Sequence, residues 1–264
     1  MRLLVCPPDF YGIEYEINPW MKVERKADNP RAVAAWHELV EALGDAGCRV
    51  ERVAPVKGLP DMVFTANAGI VRGRKVIISN FRFKERQGEA AHFRRWFDAN
   101  GFQTLSLPAE FIFEGEGDAL FAGDRLYAGY YFRTDIASHE RVSELLGVEA
   151  ISLELVDKRF YHLDTCFCPL DAETVVWYPP AFDPYARRVI RRNFSNSIGL
   201  SERDALRFAA NAVIVGKHII MNAGCGGLKR VLARRGLVTH EVDLSEFLKA
   251  GGSAKCLVLK LEEG

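Results

Sequence analysis

The sequence predicts an α/β fold, a propeller-like ring of about five repeated hairpin-and-helix units. Four stretches, ANAGIVRGRKVIISNF, GDALFAGDRLYAGYYF, DTCFCPLDAETVVWYPPAF and AANAVIVGKHIIMNAG, each read as an apolar strand, a short polar turn and a second apolar strand. Their turns, at Arg72 to Lys75, Ala122 to Arg125, Asp171 to Thr174 and Gly216 to His218, recur at intervals of roughly fifty residues, the period of a repeat architecture. Helical stretches lie between the hairpins and lead into short apolar strands, so each unit is a hairpin, a helix and a returning strand.

The elements follow in order. RLLVCPP, Arg2 to Pro8, is expected as a first strand, stopped by two prolines that cannot donate to a ladder. YGIEYEINPWM, ending in Asn18, Pro19, Trp20 and Met21, has neither helical nor strand period and reads as a loop. From Asn29-Pro30 onward, AVAAWHELVEALGDAGC carries apolar residues at helical spacing and ends at glycine, which predicts an amphipathic helix with His37 as an ordinary member. The later helical stretches are GEAAHFRRWFDANG, SHERVSELLG and GGLKRVLARRGL, and FQTLSL and VTHEVDL are returning strands. The N-terminal strand and helix, closed by the C-terminal strand, complete the fifth unit. With no linker, low-complexity segment or charge block, one domain over residues 1–264 is the expectation.

Composition narrows the function. Thirty-five basic and thirty-five acidic residues balance, so no net field favours nucleic acid, a membrane surface or a polyanion. MRLLVCPPDF has too short an apolar run for a signal peptide or spanning helix. The six cysteines, Cys6, Cys48, Cys166, Cys168, Cys225 and Cys256, are scattered through apolar runs, the usage of reduced thiols in a cytoplasmic protein. No CxxC pair occurs, and the CxC of Cys166 and Cys168 lacks a second ligand pair, so no metal and no cofactor are expected.

Titratable groups gather at strand ends. In YHLDTCFC, a strand would put His162, Asp164, Cys166 and Cys168 on one face, an arrangement readable as a metal site, a catalytic site or two core cysteines beside a polar pair. DMVFTAN contributes Asp61 and Asn67, and FEGEGD contributes Glu114, Glu116 and Asp118. Cys256 follows the Gly251-Gly252-Ser253 turn and precedes the apolar LVLKL, where a ligand can reach it while a rigid element holds it. A cysteine with a remote histidine is a common nucleophile arrangement.

INPWM, MVFTAN, FEGEGD, the Arg133-Thr134 pair, HLDTCF and GGSAKCLVL, in that order, resemble the pentein superfamily of guanidino-group modifying enzymes across nearly the whole chain. That resemblance implies a five-bladed pseudo-symmetric α/β propeller and a catalytic domain whose partner is a small molecule, arginine or a derivative; homo-oligomerisation stays open. It implies that Cys256 is the nucleophile attacking the guanidinium carbon to give a covalent thiouronium. His162 would protonate the leaving ammonia and then activate water, with Glu114 and Asp164 clamping the guanidinium and Asp61 adding a further contact. Arg133 and Arg82 match positions for a substrate carboxylate, and Asn18 a position for the amino-acid head group. FEGEGD has one residue more than the EGGD usual in deiminases; Glu114 is favoured for the acidic role, with Glu116 expected as a solvated turn residue.

Dimethylarginine hydrolases and deiminases carry aspartate where this chain has Asn67, and the former also carry glutamate where it has Ala66. Asparagine removes a negative charge facing the substrate and adds a donor, so a neutral ureido product could be held and attacked again. The FTAN and INPWM pattern most resembles the arginine dihydrolases, which yield ornithine, carbon dioxide and two ammonia. The alternatives are single-step hydrolysis to citrulline, of deiminase or dimethylarginine dimethylaminohydrolase type, and a non-catalytic pentein that only binds.

Overall fold

In the computed structural model, which describes residues 1–262, each hairpin forms two antiparallel strands that a helix joins to a third, parallel strand. The second blade shows the plan: β3 (Gly69–Arg72) pairs antiparallel with β4 (Lys75–Ile78), and α2 (Glu89–Ala99) crosses over to β5 (Gln103–Ser106), parallel to β4. It repeats in β6 (Ala119–Ala122), β7 (Arg125–Tyr130), α3 (Ala137–Leu146) and β8 (Glu149–Glu154). The fourth blade is β9 (Phe167–Pro169), β10 (Thr174–Trp177), α4 (Pro184–Asn193) and β11 (Asn196–Gly199). The fifth is β12 (Val213–Val215), β13 (His218–Asn222), α5 (Gly226–Ala233) and β14 (Val238–Val242). The remaining blade joins the two ends of the chain. There β15 (Leu259–Glu262) pairs antiparallel with β1 (Arg2–Val5), and α1 (Asn29–Asp45) leads to β2 (Arg49–Arg52), parallel to β1. Five three-stranded sheets, arranged as a pseudo-symmetric α/β propeller, meet the expected count.

Local chemistry explains the helices. Asp28 caps α1 by accepting from the Arg31 amide, and Ala32, Ala35, Trp36, Leu39 and Leu43 form its buried stripe. These side chains share a core with Leu3 and Val5 of β1 and with Val213, Ile220 and Val242 of the fifth blade. Likewise Phe93 and Phe97 of α2 pack with Val76, Ile78, Leu4 and Leu259. The cores therefore bridge neighbouring blades, which is why no blade can bury its apolar faces alone. No helix among the described residues is long and apolar enough to cross a membrane.

Two local expectations need correction. YHLDTCFC is not one strand: Leu163–Thr165 form a 3₁₀ turn and β9 begins only at Phe167. The turn is satisfied on the spot, with the Cys166 amide donating to the Leu163 carbonyl and the Thr165 hydroxyl to the His162 carbonyl, so the alternating face is lost. Cys166 and Cys168 pack in two different apolar clusters. Helix α4 was not expected, because its PYARRVIRRN sequence buries only Ala186 and Ile190; the Asp183 cap and Pro184 in the first turn are its start signal.

The two strands of the second blade's hairpin approach closely at Gly69. A Cβ on Gly69 would lie 2.4 Å from the Ile77 carbonyl oxygen, a backbone atom fixed by the β3–β4 ladder. Gly69→Ala is expected to lower the unfolding free energy by about 1–3 kcal/mol through overpacking, measured by urea denaturation.

Candidate active site

Tight turns stand just ahead of the inner strands and carry the polar groups. Asp61 lies in the 3₁₀ turn Pro60–Val63 and Asn67 in Thr65–Ala68, both leading into β3. Glu114 opens the turn Gly115–Gly117 before β6, and His162 opens Leu163–Thr165 before β9. Asn211 precedes β12, and Cys256 lies in the last turn before β15 rather than at the mouth of a strand. All six are buried.

Two linked groups result. In the first, Glu114 accepts from the Arg82 amide at 3.1 Å and from Arg133 Nη1 at 3.0 Å, and its Oε2 lies 2.8 Å from His162 Nε2. Burial raises the proton affinity of the Glu114 carboxyl, but the Arg133 charge and then the His162 contact outweigh it and hold the group below the usual carboxylate range. Asp118 braces this group by accepting from Thr134 and from the Leu163 amide, and burial pushes its carboxyl up to about 6. A Cβ on Gly117 would meet Asn67 Nδ2 at 2.1 Å and His162 Nδ1 at 3.3 Å, so only glycine allows these turns to approach.

In the second group, the Cys256 thiol donates to Asp164 Oδ2 at 3.2 Å. Asn211 holds Cys256 from both sides, its Nδ2 donating to Sγ at 3.1 Å and its Oδ1 accepting from the Cys256 amide at 3.1 Å. Burial, then the Asp164 charge, raises the thiol well above its ordinary value. Burial also pushes the Asp164 carboxyl up to about 7, against the opposing charge of Lys255. Asp164 Oδ1 and Asp61 Oδ1 are buried without a hydrogen bond of normal geometry; Asp61 Oδ2 faces Arg86 at 3.9 Å, and the buried Tyr15 hydroxyl, itself unpaired, stands beside the Asp61 carboxylate. Such orphan acceptors are costly unless a ligand supplies donors. Tyr161 joins the groups: its ring stacks near His162 and under the Arg133 guanidinium, its hydroxyl donates to the Gly251 carbonyl, and Arg133, Cys256, Asp164 and Asp61 all act on it electrostatically.

The outer residues make contacts within the protein. The Asn18 oxygen accepts from the Trp20 and Met21 amides and its nitrogen donates to the Ala250 carbonyl, so its side chain straps the N-terminal loop to the C-terminal turn. Arg133 is enclosed between Phe83 and Tyr161 and donates to the Ile17 carbonyl at 3.0 Å as well as to Glu114. Arg82 braces Arg133 by donating to its carbonyl and ion-pairs with Asp135 at the partly exposed rim. The buried guanidinium beside Asp61 and Asn67 is instead that of Arg86, which the sequence reading passed over. Glu89 holds it through two bonds of 2.8 Å. Glu116 is not solvated: it is buried against Lys255 Nζ at 2.8 Å. Asn211 was also passed over, though FAANA, ending at Ala212, repeats the FTANA that ends at Ala68.

This arrangement offers a buried thiol, an imidazole held by an ionised carboxylate, and two carboxylates with unused oxygens, a set suited to a planar cation with several N–H donors. Because the Asp164 carboxyl rises from its ordinary 3.8 to about 7, ionising it disfavours the folded state, a penalty absent near pH 3.8 and fully present above pH 7. Asp164→Asn should therefore gain stability relative to the parent as pH rises from 4 to 8, read from urea unfolding at several pH values. A flat or falling difference would show that Asp164 is not held protonated.

A family model described as "N,N dimethylarginine dimethylhydrolase, eukaryotic" matches residues 15–262. The chain is 49% identical over 268 residues to the bifunctional arginine dihydrolase/ornithine cyclodeaminase ArgZ of a Synechocystis species, a match covering 100% of this chain and 38% of that protein. It thus spans well under half of that relative's length. It is 39% identical over 260 residues to the N(G),N(G)-dimethylarginine dimethylaminohydrolase of Mycobacterium tuberculosis, covering 98% of this chain and 85% of the relative. The crystal structure of the N-terminal domain of ArgZ, a cysteine-to-serine mutant bound to substrate, matches with a TM-score of 0.96 at 49% identity, over 99% of this chain and 98% of that one. Another form of that domain, an asparagine-to-serine variant, is covalently bound to a reaction intermediate. The chain belongs to the dimethylarginine dimethylaminohydrolase family of penteins.

Proposed function

We propose that this protein is an arginine dihydrolase, converting arginine and two waters into ornithine, carbon dioxide and two ammonia through a covalent intermediate on Cys256. The observation that carries the reading is the pair of unpartnered, buried carboxylate oxygens on Asp61 and Asp164, the second of them on the carboxylate bound to the Cys256 thiol. The similarity to ArgZ over the full chain, and the asparagine at position 67, favour two hydrolytic steps over one.

The chemistry follows from the contacts. A guanidinium is a poor electrophile because its charge is delocalised, so it must be fixed before attack. Asp164 and Asp61 take its N–H donors and align its plane with Sγ. The cation also favours the thiolate: burial is the main reason the thiol stays protonated, and the cation offsets the Asp164 charge that adds to it. The thiolate adds to the guanidinium carbon, and the C–N bond to ammonia breaks as His162, fixed by Glu114, supplies the proton. His162 then takes a proton from water as that water attacks the thiouronium carbon, releasing the thiolate and leaving a ureido group. A second passage of the same steps releases the second ammonia and a carbamate that decays to carbon dioxide and ornithine. Asn67, held by Arg86 and by the Glu114 carbonyl, keeps its position uncharged for the neutral ureido intermediate. Arg133 Nη2, which donates to the Ile17 carbonyl, is the donor a substrate carboxylate would take over.

Incubation with arginine should yield ornithine with about two equivalents of ammonia; citrulline as the final product would sink the two-step reading in favour of single hydrolysis. Cys256→Ser should lower kcat by at least about a thousandfold, as loss of a covalent nucleophile does. Asn67→Asp should raise the share of citrulline released, measured by amino-acid chromatography, because a fixed negative charge then faces the ureido intermediate.

A further inference from the structure

The inner strands line a partly open cavity on the propeller axis, at their hairpin-turn end. Its volume is about 330 Å³, and every blade lines it, through Val71 of β3, Leu120 of β6, Phe167 of β9, Ile214 of β12 and Lys260 of β15. That size falls within the range of about 300–1,000 Å³ usual for small-ligand sites. The pair Glu116 and Lys255, buried in the turns ahead of β6 and β15, separates it from the catalytic turns.

The polar groups around this cavity are unevenly matched. Inside the cavity Lys255 and Lys260 face Glu116, leaving one positive charge in excess, while Arg72 and Asp124 are exposed at its mouth. Glu116 is committed, its Oε2 accepting from Lys255 Nζ at 2.8 Å and from the Lys260 amide at 3.2 Å. Arg72 reaches outward to the Leu146 and Gly147 carbonyls. Lys255 uses two of its three donors, on Glu116 and on the Val258 carbonyl at 3.1 Å. The half-buried Lys260 ammonium has no carboxylate partner among the described residues. The remaining wall is apolar.

We propose that this axial cavity is a binding site for a small organic monocarboxylate with an apolar body. Its carboxylate bridges Lys260 and the spare Lys255 donor, and its body packs on Leu120, Phe121, Phe167 and Ile214. One negative charge balances the excess in the cavity, whereas a cation would add to it and a dianion would exceed it. Lys255 directly precedes Cys256, so an occupant touches the same turn that carries the thiol. The site does not depend on which reaction the catalytic end performs.

Isothermal titration of the full chain with sodium phenylacetate at fixed ionic strength tests this. One equivalent should bind, with affinity unchanged by saturating arginine. Lys260→Gln should weaken binding about tenfold, the loss expected for one charge-assisted contact. Ala212→Trp, which fills the cavity, should abolish binding; should that variant fail to fold, Lys260→Gln decides alone. Absence of binding, equal binding of 2-phenylethylamine, competition by arginine, or unchanged affinity in Lys260→Gln would each overturn the proposal.

Discussion

Glu114 is the point on which the centre of this molecule depends. It is fully buried, yet it stays charged, because three separate blades deliver partners to it: the Arg82 amide beyond β4, Arg133 beyond β7 and His162 before β9. Through Arg133 the N-terminal loop is drawn in as well, at the Ile17 carbonyl. A buried charge stripped of one partner costs about 3–5 kcal/mol, so none of these loops can drift without a penalty comparable to a large part of the protein's stability. The same contacts that pin the blades together fix the imidazole that the proposed chemistry needs.

The electrostatics of the centre divide in two. Around Glu114 the positive partners prevail and the carboxylate is held ionised. Around Cys256 burial prevails, so the thiol and the Asp164 carboxyl both hold their protons more tightly than in water. On the proposed reading, such a site rests protonated and becomes nucleophilic when the guanidinium enters, so that selectivity and activation share a single cause.

The loop FEGEGD serves both ends of the axis. Glu114 turns towards His162, while Glu116, two residues on, turns to Lys255 and the rear cavity. The extra residue relative to the shorter deiminase motif is thus accommodated by a second buried ion pair and not by solvent. Asn18 and Arg82 likewise make contacts within the protein: one straps the N-terminal loop, the other props Arg133. Both could be recognised from sequence as polar residues near the site, but the direction of a side chain is set by neighbours far along the chain.

The hairpin period, the helix caps and the stretches holding Asp61, Glu114, His162 and Cys256 were legible in the sequence, because strands, turns and caps answer to residues a few positions apart. Asn211 carries a local mark too, since FAANA repeats FTANA. The tertiary structure alone decided the rest. The Cys256–Asp164 contact joins residues 92 apart, and Glu116–Lys255 joins residues 139 apart. Arg86 carried no local mark distinguishing it from Arg82, and only the packing of α2 against the Asn67 turn buried it. Composition and spacing determined which polar residues would stand at strand ends. Closing the ring, by pairing the last strand with the first, determined which of them would meet, since burial of a charge is permitted only where distant segments bring its counter-charge.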